Sequence, residues 1–382
     1  MTVTFAVDAR TFDPRFPGIG RYISNLLRAM PPHLHDGERL VYLCSGQQRT
    51  NLKLDDSDRL IWVGADASPF SVRQQWQIPR LLRAHDVAVY HSPYYLMPYW
   101  PGKATVLTVY DLIPQLFPEY VSQRARSLFR VTTRLALHRA AHVIAISEAT
   151  REDFMSHYGV PSQQITTIPL AAAANFRPVP KEWLDKMRRQ YDLPEPYVLY
   201  VGSNKPHKNL LGLVRAWRHV QEFVQGSHKL VIAGHWEPHH SAIQQEIERL
   251  SLKERISLLP NIAEQDLPAL YSGADIFVFP SLYEGFGLPV LEAMACGCAV
   301  ACANLSSLPE LVSDAALLFE PREPSAIAQA VVELLQNPRR RQEYQRRSLQ
   351  RAAAFSWSRT AAETVQIYRQ IANLYPPYTR QL

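Results

Sequence analysis

The chain has 382 residues, 47% of them hydrophobic and 20% charged, a balance that supports packed cores and excludes a mostly disordered polymer. A net charge of +6 is mild for this length and does not by itself call for nucleic acid, and four cysteines, three of them clustered at 296–302, are too few for a disulfide-stapled scaffold. No apolar run approaches the roughly 18–20 residues of a membrane span, and Asp8 interrupts the stretch where a signal peptide stays apolar; the expectation is a cytoplasmic protein that begins on a core strand.

In chain order, short apolar runs predict strands at Thr4–Val7, Leu40–Cys44, Val87–Tyr90, Thr105–Val109 and Val143–Ile146. Amphipathic stretches between them predict helices near Arg21–Met30, Gln74–Arg83, Ser122–Arg139 and Glu148–His157. The rhythm restarts after residue 195, with strands at Tyr197–Val201, Lys229–Ala233, Ile256–Leu259 and Asp275–Pro280. Helices are predicted at Leu210–Phe223, Ser241–Leu250, Asp266–Ser272 and Pro289–Met294, and a last long one at Ser356–Leu374 before Pro376-Pro377. Strand–helix alternation argues for parallel sheets covered on both faces, and two blocks of it for two doubly wound α/β domains. Pro178, Pro180, Pro194 and Pro196 surround one polar helical piece, Lys181–Tyr191, which reads as linker chemistry because proline cannot donate to a ladder. The domains are expected at 1–178 and 197–358, with a linker over 179–196 and a C-terminal helix, 359–382, returning towards the first domain. The first 180 residues hold 19 basic and 14 acidic side chains, so the basic excess sits in the N-terminal half.

Ligands of open α/β sheets bind beyond the carboxyl ends of the strands, so the loops there hold the candidate chemistry. The first loop runs from Asp13 through Pro14, Arg15 and Phe16 to Gly18, Gly20 and Tyr22, and leads into a helix. Two glycines before a helix N-terminus let backbone amides approach an anion; a plain turn needing positive φ is the other reading. It is not the dinucleotide fingerprint, whose third glycine would fall at Ile23. The second loop, Gly202-Ser203-Asn204-Lys205-Pro206-His207-Lys208-Asn209, puts a hydroxyl and two lysines at a strand end, suited to a diphosphate or to a solvated turn. The third runs Pro280-Ser281-Leu282-Tyr283-Glu284-Gly285-Phe286-Gly287-Leu288-Pro289-Val290-Leu291-Glu292 and opens a helix at Pro289, aiming the amides of residues 285–288 at a ligand anion. Glu284 lies in the loop and Glu292 in the first turn, where the alternatives are a solvated carboxylate and simple helix-dipole stabilisation.

These three loops, in this order, resemble the retaining nucleotide-sugar glycosyltransferases of family 4, with the two-Rossmann-domain GT-B fold facing a cleft. The Glu284-x7-Glu292 spacing is that family's signature, and Ser306-Ser307-Leu308-Pro309-Glu310-Leu311, Phe355-Ser356-Trp357, Ile146-Ser147-Glu148 and Ile168-Pro169-Leu170 extend the likeness over about residues 3–370. The pattern is similar to bacterial mannosyl- and rhamnosyltransferases of surface polysaccharide synthesis. The resemblance implies that Lys208 holds the donor diphosphate, with Ser203 beside it. It implies that the amides of Gly285, Phe286, Gly287 and Leu288 meet phosphate and sugar, Glu284 the sugar hydroxyls and Glu292 the ribose. Gly18 and Gly20 would close over the donor from the other domain, and the base would lie near Gly234 and between Asn261, Ile262 and Glu264. Ser203 stands where many members have arginine, leaving the diphosphate more dependent on Lys208. Tyr110 stands where many members have a histidine at the sugar's reactive end. A phenol of reference pKa about 10 is a poor base, so orienting the sugar is its expected task. Asp111 beside it would orient the acceptor or take its proton, or else cap the following turn.

The implied reaction is transfer of a hexose with retention, best guessed as mannose from GDP-mannose, onto a lipid- or polysaccharide-linked sugar. No cofactor and no metal are expected, since the only Asp-x-Asp, Asp56-Ser57-Asp58, lies in a polar surface stretch. No nucleophile for a double displacement is identifiable. On the acceptor side, His91 follows a strand in His91-Ser92-Pro93-Tyr94-Tyr95, and a satisfied structural histidine is the alternative. Arg126, Arg130 and Arg134 step by four along a helix, with Leu128, Val131 and Leu135 on another face: a solvated surface, or a peripheral contact with anionic lipid at the inner membrane face. Cys296, Cys298 and Cys302 lack paired metal-ligand spacing and read as core, and His239-His240 near Glu237 as a polar loop. The rival functions are a sugar-nucleotide epimerase or phosphorylase on the same fold, and a basic nucleic-acid-binding protein. The latter would want an aromatic-studded basic stripe, and nucleic acid is not expected as a partner.

Overall fold

The computed structural model describes residues 2–13, 17–54, 57–224, 228–234, 242–260 and 262–375. Pro14, Arg15, Phe16, Asp56, Glu237, His239, His240, Asn261 and Pro376-Pro377 lie outside the described residues.

The chain divides into two compact units, residues 1–170 with 356–382, and residues 171–355. In the first, seven strands form one parallel sheet: β1 (Val3–Asp8), β2 (Glu38–Cys44), β3 (Leu60–Gly64), β4 (Val87–Ser92), β5 (Ala104–Val109), β6 (His142–Ala145) and β7 (Ile165–Thr167), in the order β3-β2-β1-β4-β5-β6-β7. In the second, six strands do the same: β8 (Tyr197–Val201), β9 (Lys229–Gly234), β10 (Ile256–Pro260), β11 (Ile276–Phe279), β12 (Ala299–Ala303) and β13 (Leu317–Phe319), in the order β10-β9-β8-β11-β12-β13. Each sheet therefore reverses its winding beside its first strand, between β1 and β4 and between β8 and β11. Central strands such as β8 and β12 are buried at every position, which is why they read as unbroken apolar runs rather than alternating ones.

The predicted strands recur with ends shifted by a residue or two. β3, β7, β12 and β13 fall outside the predicted set: β3, β7 and β13 are sheet edges, β7 and β13 only three residues long, and β12 is a short alanine-rich run directly after a helix that is itself apolar. Helix starts follow local chemistry. Ser122, Ser147 and Ser356 each accept a hydrogen bond from a backbone N–H three residues on, capping the helices Gln123–Arg139, Glu148–Tyr158 and Trp357–Leu374.

The 179–196 segment, read as a linker, carries the helix Lys181–Tyr191. Its Tyr191 hydroxyl donates to Asp266 at 2.6 Å, inside the second unit. The helix Trp357–Leu374 belongs to the first unit. There Thr360 donates to the Pro169 carbonyl (2.7 Å) and the Tyr368 ring packs on Phe5. Among the described residues, no helix is long and apolar enough to cross a membrane.

Candidate donor site

The winding reversal of the second sheet brings together the loops after β8 and β11. The first ends in a short turn, Pro206–Lys208, followed by Asn209 at φ 56°, whose side-chain amide donates to the Pro321 carbonyl at 2.6 Å. The second is sewn to it by backbone: the Leu282 amide (2.7 Å) and the Ser281 hydroxyl (3.2 Å) both donate to the His207 carbonyl. This stitching sets Lys208 against Glu284, Nζ to Oε1 at 2.6 Å, with only 16% and 11% of the two side chains exposed. Lys208 also lies 5.4 Å from the Phe279 ring centre. Ser306 and Ser307 fix the backbone of Glu284, each donating to its carbonyl, at 2.6 and 3.0 Å. Local sequence marked that Ser-Ser pair as a match without showing its task.

Glycines let the backbone close up around the pair. Gly234, at φ 133°, ends β9 so near Gly202 that a Cβ would fall 2.0 Å from the Gly202 carbonyl oxygen, a space no other residue fits. Gly287, at φ 99°, forms the N-cap of the helix Leu288–Ala295, and a Cβ there would strike Leu308 at 2.7 Å. The helix starts at Leu288, one residue before the expected Pro289. Its N-terminal end, with Gly285 and the buried Phe286 leading into it, lies just beyond Glu284 in the chain, where the helix dipole favours negative charge. Glu292 is the fifth residue of this helix rather than part of its opening turn, and is 2% exposed. Simple dipole compensation at the surface is thereby replaced by a buried carboxylate that accepts from the Tyr271 hydroxyl at 3.2 Å. No spacing in the sequence pointed to Tyr271. Ser203 sits at the rim, its carbonyl accepting from Tyr200 at 3.0 Å, and Ile262 is half-buried just beyond β10. His207 is buried, and burial, then the neighbouring Lys208 and Lys205, push its pKa down to about 3.

Gly18 and Gly20 lie inside the first turn of the helix Pro17–Ala29, not in a loop before it, and neither has positive φ, which corrects the turn reading. Proline suits a first helical position, so the helix starts earlier than the apolar pattern suggests. The end of β1 carries a buried network that went unread in the sequence. Arg10 donates to both carboxylate oxygens of Asp8 (2.8 and 2.6 Å), to Ala67 and to Gln74, and Tyr90 donates to Asp8 at 2.5 Å. Burial opposes the charge of Arg10, but Asp8 outweighs it.

Tyr110 and Asp111 follow β5. The Tyr110 hydroxyl is buried and has no hydrogen-bond partner among the described residues, and burial raises its pKa well above that of a free phenol. Asp111 accepts from the Ile113 amide at 3.0 Å, the bond expected of a turn cap. It also lies near enough to Tyr94 and Tyr95 that, after burial and their mutual contact, its charge lifts the pKa of both.

His91 is not on an open acceptor surface. It is fully buried, with Nδ1 2.5 Å from the Tyr368 hydroxyl and Nε2 2.7 Å from Thr108, which in turn meets Tyr22 at 3.0 Å. Burial pushes its pKa down to about 3, so it is a neutral, satisfied structural histidine. The arginine row also divides. Arg130 and Arg134 are exposed, whereas Arg126 is half-buried with a buried Nε that has no partner among the described residues, because a four-residue step drifts about 40° around a helix. Leu128, Val131 and Leu135 are exposed rather than packed. The four cysteines are free and buried.

Two parallel sheets of this strand order, the second with a lysine–carboxylate pair and a helix N-terminus at its winding reversal, define the GT-B class of α/β proteins. Residues 17–172 match the family described as Glycosyltransferase Family 4, and residues 184–351 the one described as Glycosyl transferases group 1. The chain is 32% identical over 300 residues to the O-antigen chain mannosyltransferase B of Escherichia coli, covering 78% of this chain and 77% of that protein. It is 29% identical over 278 residues, 70% of this chain, to the serotype-specific mannosyltransferase WbdA of Escherichia coli, and spans 33% of that longer protein. The solved structure of Anabaena Alr3699/HepE in complex with UDP and glucose has the same fold, with a TM-score of 0.76 at 20% identity over 96% of this chain and all of that one. The chain belongs to the family 4, group 1 glycosyltransferases, and is a glycosyltransferase.

Proposed function

We propose that this enzyme moves mannose from GDP-mannose onto a lipid- or polysaccharide-linked sugar acceptor, with retention and without a metal ion, in the cytoplasm at the inner face of the membrane. The observation that carries the reading is the Lys208–Glu284 pair at the winding reversal of the second sheet, the place where such sheets take nucleotides. The similarity to O-antigen mannosyltransferases supports the choice of sugar and acceptor.

Departure of a nucleoside diphosphate builds negative charge on the leaving phosphate. Lys208 and the amides at the start of the helix Leu288–Ala295 would meet that charge from fixed positions, which costs no reorganisation during reaction. Glu284 holds the Lys208 ammonium in place, and on donor binding would turn to the sugar hydroxyls. Glu292, steadied by Tyr271, would take the ribose hydroxyls. Asp111 would orient the acceptor hydroxyl or receive its proton, while Tyr110, its hydroxyl buried, would shape the site through its ring rather than by a hydrogen bond.

The test is a thermal-shift screen of nucleotide sugars, followed by NMR of the product formed from the best donor in excess chelator. A GDP-mannose-dependent shift and an α-linked mannoside are expected. A different donor, an inverted product, or activity that returns only with added magnesium or manganese overturns the corresponding part.

A further inference from the structure

The carboxyl end of the first sheet carries exposed apolar side chains that no core explains. Phe70, Val72 and Trp76 are 52%, 70% and 67% exposed, on the turn after β3 and in the opening of the helix Gln74–Ala84. Their backbone is nonetheless fixed. Arg10 donates to the Ala67 carbonyl at 2.7 Å, and the Ala67 amide donates to Gln77 at 2.8 Å. The buried Gln74 accepts from Arg10 at 3.1 Å and donates to the Pro69 carbonyl. A segment already ordered while its rings stand in water loses little freedom when a ligand covers them.

A chain of contacts joins this patch to Asp111. Gln75, next to Trp76, donates to the Met97 carbonyl (3.1 Å) and accepts from the Tyr99 amide (2.9 Å), which fastens the helix to the segment after β4. In that segment the Tyr99 hydroxyl reaches the Tyr95 carbonyl at 3.5 Å, and the Tyr94 and Tyr95 rings lie 4.3 Å apart with their hydroxyls bonded at 3.0 Å. All three tyrosines are half-buried. Asp111 lies near enough to Tyr94 and Tyr95 for its charge to add to what burial does to their pKa. The whole line is almost uncharged: from Ala67 to Gln77 the one ionic side chain is Arg73, and from Ser92 to Trp100 there is none.

We propose that this line, from Phe70 and Trp76 through Tyr99, Tyr95 and Tyr94, is an extended acceptor site for a neutral oligosaccharide, with the sugar that receives the transfer at Asp111 and the units before it on the outer rings. A pyranose offers a face of C–H groups and a rim of hydroxyls. Indole and phenol rings offer an apolar face with a polar handle, which matches both. Anionic lipid, or the phosphates of a lipid carrier, would call for cations that this line lacks. The acceptor is therefore read by several of its sugars, and a lipid on it is dispensable for recognition. The inference rests on the reading of Asp111 as the acceptor end of the transfer and deepens it by naming the substrate class.

Calorimetric titration of the full chain with methyl α-mannoside and with lipid-free α-linked manno-oligosaccharides of two to four units tests it, followed by rates of transfer from GDP-mannose onto the same set. Affinity and kcat/KM should rise by about tenfold or more from the monosaccharide to the tetrasaccharide, the worth of one or two aromatic faces taken out of water. Trp76→Ala and Phe70→Ala should each remove most of that rise, and Trp76→Phe should keep it. Melting temperature and the GDP-mannose thermal shift should stay at parental values in all three, which a merely structural role would not allow. No gain with length in the parent, or a parental gain in both alanine variants, overturns the extended site. Vesicle partitioning or dimerisation of the parent that Trp76→Ala abolishes, with oligosaccharide affinity unmoved, overturns the glycan as occupant. Length-dependent binding without turnover of any nucleotide sugar supports the extended site and counts against the transfer reading alone.

Discussion

Lys208 and Glu284 hold each other at 2.6 Å, so the ammonium is already in place for an anion. Replacing Lys208 with alanine should lose roughly 2–4 kcal/mol of transition-state stabilisation, a fall of about 30- to 1,000-fold in kcat/KM; a near-parental value would remove Lys208 from the chemistry. Glu292 and Tyr271 form a second pair with a different expected signature. Ribose contacts are alike in ground and transition states, so Glu292→Gln should raise donor KM more than it lowers kcat. Tyr271→Phe should shift KM the same way by a smaller factor, and a selective loss of kcat in either would place the pair at the reacting centre. Asp111 invites a cleaner test, because asparagine can still accept from the Ile113 amide and keep the turn cap. Asp111→Asn should lower kcat at least about 10²-fold with an unchanged melting temperature, and Tyr110→Phe less than tenfold. Normal turnover by Asp111→Asn would leave capping as its whole task.

Elements differ in how much freedom they leave their glycines. The β9 end cannot accept a side chain at Gly234, where φ is 133° and the Gly202 oxygen blocks the Cβ. Gly234→Ala should therefore destabilise the second unit by about 3 kcal/mol or more, read as a lower melting temperature. Gly18, in the first turn of the helix Pro17–Ala29, has no atom of the described residues within 4 Å of its would-be Cβ, and Gly18→Ala should leave melting level. Equal losses at both positions would refute the distinction. The same scale explains what local sequence could show. A central strand such as β8 is legible because burial on both faces makes it uniformly apolar, whereas three-residue edges such as β7 and β13 depend on a neighbour already in place. The Leu128, Val131 and Leu135 face of the helix Gln123–Arg139 was legible as a periodicity, but periodicity alone cannot distinguish a packed face from an exposed one.

At the scale of the whole molecule, two buried histidines tie stability to pH. His91 and His207 are both held down to about 3 by burial, with Lys208 and Lys205 adding to the effect at His207. In the unfolded chain each titrates near 6.5, so between about pH 6.5 and 3 the unfolded state binds a proton that the folded state refuses. Stability should be full above about pH 6.5 and fall on acidification by up to ~1.4 kcal/mol per pH unit for each histidine. Urea unfolding at neutral and mildly acid pH measures this slope. His91→Gln should flatten it in the first unit, and an unchanged slope would show that His91 takes up its proton without unfolding.

The amino-acid sequence by itself determined the alternation of strand and helix, the restart after residue 195, the glycine-bearing loops at strand ends, and the Glu284-x7-Glu292 spacing, because each is set by residues close together in the chain. Which groups meet was decided only by tertiary structure. Lys208 reaches Glu284 across 76 residues because winding reverses between β8 and β11. His91 bonds to Tyr368, 277 residues away, because the last helix packs within the first unit. Charge, hydrogen bonding and exposure act through space, and neighbours in space are created by sheet order, which no local pattern of residues specifies.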